Sequence, residues 1–161
     1  MILIHGRRAA LVAVLAACSS FVHQPALADP TEEQPTEGAR DPDYTAGLKA
    51  IEAKDWAEAI RKLSSASLRD TRNPDIQNFL AYSYRNSGDL PLAFRHYHRA
   101  LELNPRHRGA HEYIGEAYLM IGNPAKAEEH LKALERICLI PCQEREQLLA
   151  KLAQYKQAAS K

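Results

Sequence analysis

The sequence predicts an all-α protein in which three helical hairpins stack side by side and a final helix covers the end of the stack. Two observations predict this fold. Similar residues return every 34 positions along the middle of the chain, and apolar residues within each repeat recur at helical spacing. The composition agrees, because 161 residues with 45% hydrophobic and 25% charged side chains suit one compact domain with appendages.

The 34-residue period divides the chain into units 40–73, 74–107 and 108–141. Each unit of such an array buries an apolar flank against the next unit, so neighbouring repeats share one core. Two columns illustrate the period: Ala59, Ala93 and Ala127, and Lys54, Gly88 and Gly122.

The second unit shows how one hairpin is encoded. Ile76, Leu80 and Tyr84 form one helical stripe, and a second stripe begins at Ala93. Between the stripes, Gly88 suits the left-handed conformation that ends a helix, and the residue after it, an aspartate, suits the cap of the next. The segment is therefore predicted to be a helix, a tight turn and a second helix.

The other two turns vary this pattern. In the third unit, Gly122 precedes Asn123 as the predicted cap and Pro124 at the first helical position. The first unit has Lys54 instead of glycine, so we expect a more strained turn, followed by a capping box over residues 55–58. Small residues are expected where the two helices of a unit cross: Gly47, Ala81 and Gly115, facing the Ala59 column.

The C-terminal segment 142–158 places Leu148, Leu152 and Tyr155 on one stripe with charged residues around it. This pattern predicts a capping helix, which helical arrays need because the last repeat otherwise exposes its stacking face. A free amphipathic helix for membranes is the alternative. Glu144 and Glu146 and the narrow apolar stripe disfavour it.

The N-terminus has the pattern of an export signal. Two arginines precede nine uninterrupted small or aliphatic residues at 9–17, too few to cross a bilayer. Two processing outcomes stay open: cleavage after Ala28, giving a signal peptide 1–28, or lipidation of Cys18 after a signal ending at 17. Residues 29–43 are acidic and proline-rich and predict a linker. We expect a periplasmic protein, either free or held to a membrane through a lipid anchor.

Several of these residues resemble the tetratricopeptide repeat family. The second unit matches its consensus at Leu80, Ala81, Tyr84 and Gly88, the third unit repeats the match, and the resemblance extends over 40–141. It implies antiparallel helix pairs in a right-handed superhelix whose concave face binds proteins or peptides. The family's groove positions map onto these residues: Asn78, Tyr82, Arg85, Asn86, Glu112, Glu116, Leu119 and Met120, with Tyr44, Leu48 and Ile51 in the first unit.

Within that groove, Arg85 is expected to pair with one carboxylate of a bound peptide. The alternative is that Arg85 and Asn86 are ordinary surface residues near a turn. The resemblance to the family's carboxylate clamp is partial, because Arg85 stands nearly alone where that clamp uses several basic residues.

Candidate chemistry is sparse elsewhere. Cys138 and Cys142 straddle three residues between the last repeat and the capping helix, and we expect a disulfide; a metal or redox site is the alternative. His107 and His111 are four residues apart, but capping or solvent-facing roles are expected for them. No P-loop, dinucleotide-binding motif or nucleophile elbow occurs. We expect no enzyme activity, cofactor or metal.

The sequence therefore predicts an adaptor of the bacterial cell envelope that binds a protein or peptide segment. We expect no nucleic-acid partner, since the formal net charge is only +1. Two alternatives remain: a metal or thiol-redox helper that uses Cys138 and Cys142, and a structural repeat protein that associates with itself.

Overall fold

The structure, a computed structural model, describes residues 41–160. The export signal, both processing sites and residues 29–40 of the predicted linker lie outside the described residues.

The described part of the chain consists of seven α-helices and contains no strand. Three successive pairs form the helical hairpins, and the seventh helix follows them, so the predicted all-α repeat fold is confirmed. The helices are α1 (Pro42–Glu52), α2 (Trp56–Arg69), α3 (Pro74–Ser87), α4 (Leu90–Leu103), α5 (Arg108–Met120), α6 (Pro124–Ile137) and α7 (Gln143–Ala159).

The helices of residues 41–160 lie in two layers. The odd-numbered helices α1, α3, α5 and α7 each contact the next member of their own layer, whereas α2, α4 and α6 contact one another marginally at most. Each even-numbered helix instead packs between its hairpin partner and the following odd-numbered helix. Because the odd-numbered helices are closer together, they form the inner face of the curve.

The three hairpin turns all use a left-handed residue. Gly88 and Gly122 have φ of 93° and 74°, and Lys54 occupies the corresponding position with φ of 58°. A side chain in this region costs roughly 1–2 kcal/mol, so the first turn is strained as its sequence predicts. The predicted capping box forms only in half: Asp55 accepts a hydrogen bond from the Glu58 amide, but the Glu58 side chain binds Arg61 instead.

The core lies between the two layers and is formed by three clusters, one per repeat junction. Two glycines permit the closest approaches. A Cβ on Gly47 would lie 2.6 Å from Cγ of Leu63, and one on Gly115 would lie 2.7 Å from Cδ2 of Leu148. Gly47 therefore makes room for the partner helix of its own hairpin, while Gly115 makes room for α7.

The last three residues of the predicted linker belong to the folded domain, which corrects its boundary at residue 43. Asp41 caps α1 and pairs with Arg69 at 2.7 Å. Asp43 lies 2.7 Å from both Lys62 and Arg69. These contacts lower the pKa of both aspartates, that of Asp41 to about 2, mainly through the hydrogen bond from Arg69. Two acidic residues that suggested a solvated linker thus fasten α1 to α2.

Helix α7 covers the third repeat. It packs on both α5 and α6, with Leu148 and Leu152 buried against them. Tyr155 is half-buried and its hydroxyl approaches the turn at Gly122. Between residues 41 and 160, no helix combines the length and apolar character that a membrane crossing requires.

Candidate functional site

An ion pair joins two helices of the inner layer. Arg85 of α3 donates a hydrogen bond from Nη1 to Oε2 of Glu116 on α5 at 2.5 Å, and a longer one to the backbone oxygen of Tyr113 at 3.4 Å. Only 8% of the Arg85 side chain and 19% of the Glu116 side chain are exposed. The pair therefore links the second and third repeats across the inner layer in a partly desolvated setting.

Two tyrosines enclose the same arginine. The Arg85 guanidinium carbon lies 5.1 Å from the ring centre of Tyr82 and 5.4 Å from that of Tyr113. The two rings are themselves 4.9 Å apart. Cation–π contacts of this kind hold the guanidinium plane in place, so Arg85 is a fixed part of the inner layer rather than a mobile surface side chain.

This arrangement corrects the expectation for Arg85. The sequence suggested either a cation free to pair with a peptide carboxylate or an ordinary surface residue. In the structure Arg85 is buried and its charge is already matched by Glu116. A carboxylate from a partner would therefore meet a guanidinium whose Nη1 already donates to Glu116.

The other predicted groove residues have three different settings. Asn78 and Glu112 are buried, with 2% and 3% exposure. Tyr82, Glu116 and Leu119 are half-buried, and Leu119 packs against the third core cluster. The exposed members are Asn86, whose amide donates to the Tyr82 carbonyl, and Met120, which is 58% exposed at the end of α5.

Glu112 is the unusual group of this set, because none of the described residues forms an ion pair or hydrogen bond with its carboxyl group. The pKa of Glu112 is raised from 4.5 to about 7, with burial as the largest cause. Repulsion from Glu116 and Glu144 adds to the shift, and attraction to Arg85 opposes it. Burying an ionised carboxylate without a partner costs free energy. When Glu112 is ionised, the inner layer therefore carries a negative charge that no cation of the described residues matches.

Asn78 also lacks a partner within residues 41–160. Its side-chain oxygen is buried and accepts no hydrogen bond. Its side-chain nitrogen faces Gly109 of α5, 3.4 Å from where a Cβ would lie. Gly109 precedes Glu112 by one helical turn, so Asn78 and Glu112 are both residues of the junction between α3 and α5.

The two cysteines of the last repeat are joined as a disulfide. Between them, Leu139 and Ile140 are 94% and 78% exposed, at one side of a shallow cleft that Arg108 also lines. Sulfurs bonded to each other carry no thiolate, and thiolates are the form that binds metals. In this state the pair fastens the start of α7 to the end of α6.

Sequence reasoning missed a histidine pair at the third hairpin. His107 caps α5 by accepting from the Ala110 amide, as a capping role requires. His111 of α5 is buried and faces His130 of α6, with 2.9 Å between the two Nδ1 atoms, while its Nε2 lies 3.0 Å from the Pro105 carbonyl. Since a carbonyl only accepts, Nε2 of His111 donates and His130 donates to His111.

Burial, together with the neighbouring His111 and His98, lowers the pKa of His130 to about 4. Both rings are therefore neutral near pH 7, and they tie α5 to α6. In residues 41–160, no group of three or more His, Cys, Asp or Glu side chains is arranged to hold a metal ion.

The repeated hairpins and the inner layer define the class of the molecule as a helical-repeat protein with a curved, polar and aromatic inner face. A tetratricopeptide repeat family model matches residues 80–138, which include most of the second and third repeats. Over these residues the chain matches the tetratricopeptide repeat family. No curated protein matches the chain significantly in sequence.

Solved structures show the same fold. The type III secretion translocator chaperone SycD of Yersinia enterocolitica, in complex with a peptide of the translocator YopD, has a TM-score of 0.64 at 15% identity, covering 73% of this chain and 92% of SycD. The Sgt2 tetratricopeptide domain of Aspergillus fumigatus has a TM-score of 0.66 at 19% identity, covering 78% and 82%. The TPR2B domain of yeast Sti1, in complex with an Hsp70 peptide, has a TM-score of 0.62 at 19% identity, covering 74% and 98%.

Proposed function

We propose that this protein is an interaction adaptor that holds a segment of another protein against the inner face of α1, α3, α5 and α7. The observation that carries the proposal is the character of that face. It presents half-buried aromatic rings such as Tyr82 and Tyr113, and an exposed Met120, on helices that contact each other side by side. Aromatic and methionine side chains are enriched where proteins bind one another.

The similar structures support this proposal. SycD and the Sti1 domain are each described in complex with a peptide. The proposed activity of this chain is likewise noncovalent, and it needs no cofactor, metal or catalytic group.

The second part of the proposal is the place of action, the bacterial cell envelope. Its support is the sequence of the first 28 residues, with two arginines followed by a short apolar run. The mass of the mature protein tests this part and decides between the two processing outcomes. A start at Asp29 indicates a periplasmic protein, an acylated Cys18 indicates a lipid anchor, and an intact leader contradicts export.

Site-specific photo-crosslinking tests the binding face. Met120 and Leu68 form a matched pair of exposed apolar positions, 58% and 82% exposed, on an inner-layer and an outer-layer helix respectively. A photo-crosslinking amino acid is placed at each position in the full chain and activated in intact cells. We expect one defined adduct from position 120 and none of the same mass from position 68.

Equal crosslinking from both positions, or adducts from position 68 alone, would reject the assignment of the inner face. Substituting alanine for Arg85 is a poor test of binding, because it leaves Glu116 without its partner and disturbs the junction between two repeats.

A further inference from the structure

We propose that the α3–α5–α7 junction of the inner face binds a lysine side chain of the partner segment, with Glu112 and Asn78 as its acceptors. This inference rests on the proposed function, because the same face binds the segment. It reverses the polarity expected from the sequence, in which Arg85 would bind a carboxylate.

The charges around Glu112 do not balance. Three carboxylates meet on this part of the inner layer: Glu112 and Glu116 on α5, one turn apart, and Glu144 at the start of α7. Arg85 matches Glu116 at 2.5 Å, and Arg108 lies 3.5 Å from Glu144. Glu112 is left without a cation among the described residues, so the junction lacks one positive charge.

An uncharged group of the same junction also lacks a partner in the part of the chain that the structure describes. The side-chain oxygen of Asn78 is buried, accepts no hydrogen bond from residues 41–160, and belongs to a residue with 2% exposure. Buried polar atoms without partners are rare in folded proteins, and each one calls for an explanation. The amide nitrogen of Asn78 lies against Gly109, one turn before Glu112 on α5, so Asn78 and Glu112 belong to the same helix junction.

The two unmatched groups define the chemistry of the ligand. Both accept hydrogen bonds, and one carries negative charge when ionised, so the complementary group must donate hydrogen bonds and be positive. We expect lysine rather than arginine, because an ammonium is a compact charge on a flexible stem, whereas a guanidinium is a wide planar fork. A partner carboxylate would be repelled by Glu112 and would find Arg85 already paired.

Because Glu112 titrates, lysine binding at this junction should depend on pH. The charged and titratable groups that face this carboxyl group are Glu116 and Tyr113 from α5, Arg85 from α3 and Glu144 from α7. With its pKa near 7, Glu112 is mostly ionised at pH 8 and mostly protonated at pH 6. Since only the ionised form attracts an ammonium, lysine binding must weaken as the pH falls through this range.

A peptide array tests the inference with the full mature chain. Several hundred twelve-residue sequences are each made in three versions that carry lysine, acetyl-lysine or glutamate at the centre, with both termini blocked. At pH 8 we expect the lysine version of the bound sequences to bind at least about tenfold more tightly than its acetyl-lysine version.

Two variants locate the preference. Glu112→Gln keeps the shape of the side chain and removes its charge, and it should bind both versions equally. Glu135→Gln makes the same charge change at an exposed position on α6 and should keep the wild-type preference. From pH 8 to pH 6, binding of the lysine version should weaken about tenfold in the wild type and in Glu135→Gln, but not in Glu112→Gln.

The outcomes separate this inference from the proposed function. Sequences that bind with equal affinity in all three versions would overturn the lysine site and leave the adaptor function intact. Tighter binding of the glutamate versions would overturn it in favour of a carboxylate ligand. A chain that binds no peptide of the array would overturn both proposals, and a lysine preference retained by Glu112→Gln would overturn the assignment of the residue.

Discussion

Glutamine at position 112 should stabilise the protein at neutral and alkaline pH, and the gain should grow as the pH rises. The wild-type residue is 3% exposed, and its carboxyl group has a pKa of about 7, against an ordinary value of 4.5. A raised pKa means that the folded state holds its proton more tightly than the unfolded state does. The associated stability is present below pH 4.5 and is lost as the pH rises towards 7.

The size of the effect follows from that difference in pKa. One pKa unit corresponds to about 1.4 kcal/mol, so the shift represents roughly 3 kcal/mol in total. Most of this free energy, about 2 kcal/mol, is lost from the stability of the wild type between pH 5 and pH 8. The free energy of unfolding of Glu112→Gln relative to the wild type should therefore rise by that amount across this interval.

Urea unfolding followed by circular dichroism at pH 5, 6, 7 and 8 measures the difference directly. His130 titrates in both proteins, so its contribution cancels in the comparison. Glu135→Gln provides the control and should show no such trend, because that residue is exposed. A difference between Glu112→Gln and wild type that stays constant from pH 5 to pH 8 would refute the reasoning.

Three further predictions concern stability and use the same unfolding assay. Leu148→Ala removes a fully buried side chain of the capping helix and should cost about 3 kcal/mol, and a loss below about 1 kcal/mol would contradict the packing of α7 on the third repeat. Lys54→Gly should stabilise the protein by about 0.5 kcal/mol and Gly88→Ala should destabilise it by about 1 kcal/mol; effects of the same sign would contradict the left-handed turns. Glu116→Gln should cost about 3 kcal/mol by leaving Arg85 charged and buried, and a neutral result would show that the pair is not desolvated.

The repeat architecture could be predicted because its determinants are local. Gly88 and Gly122 each lie between two helical stripes and form a left-handed turn there. The acidic or amide side chain that follows each glycine caps the next helix. The 34-residue period then places each hairpin in the same relation to the next. Composition was less reliable at Asp43, where a prediction of linker overlooked basic residues 19 and 26 positions away on α2.

The pairing of the groove residues could not be predicted, because it depends on distances between repeats. Arg85 and Glu116 are 31 positions apart, and both were expected on the inner layer. Their mutual contact depends on how far one hairpin is rotated relative to the next, which no residue pattern specifies. The burial of Glu112 and the contact between His111 and His130 depend on the same packing.

The carboxyl carbon resonance of Glu112, followed by NMR from pH 4 to pH 9, tests most directly whether the inner layer holds an unmatched buried charge. The account predicts a titration midpoint near 7 for this residue, and a lower one after a lysine-containing peptide is added. A midpoint near the ordinary value of 4.5 in the free protein would contradict it, because Glu112 would then already be solvated or paired.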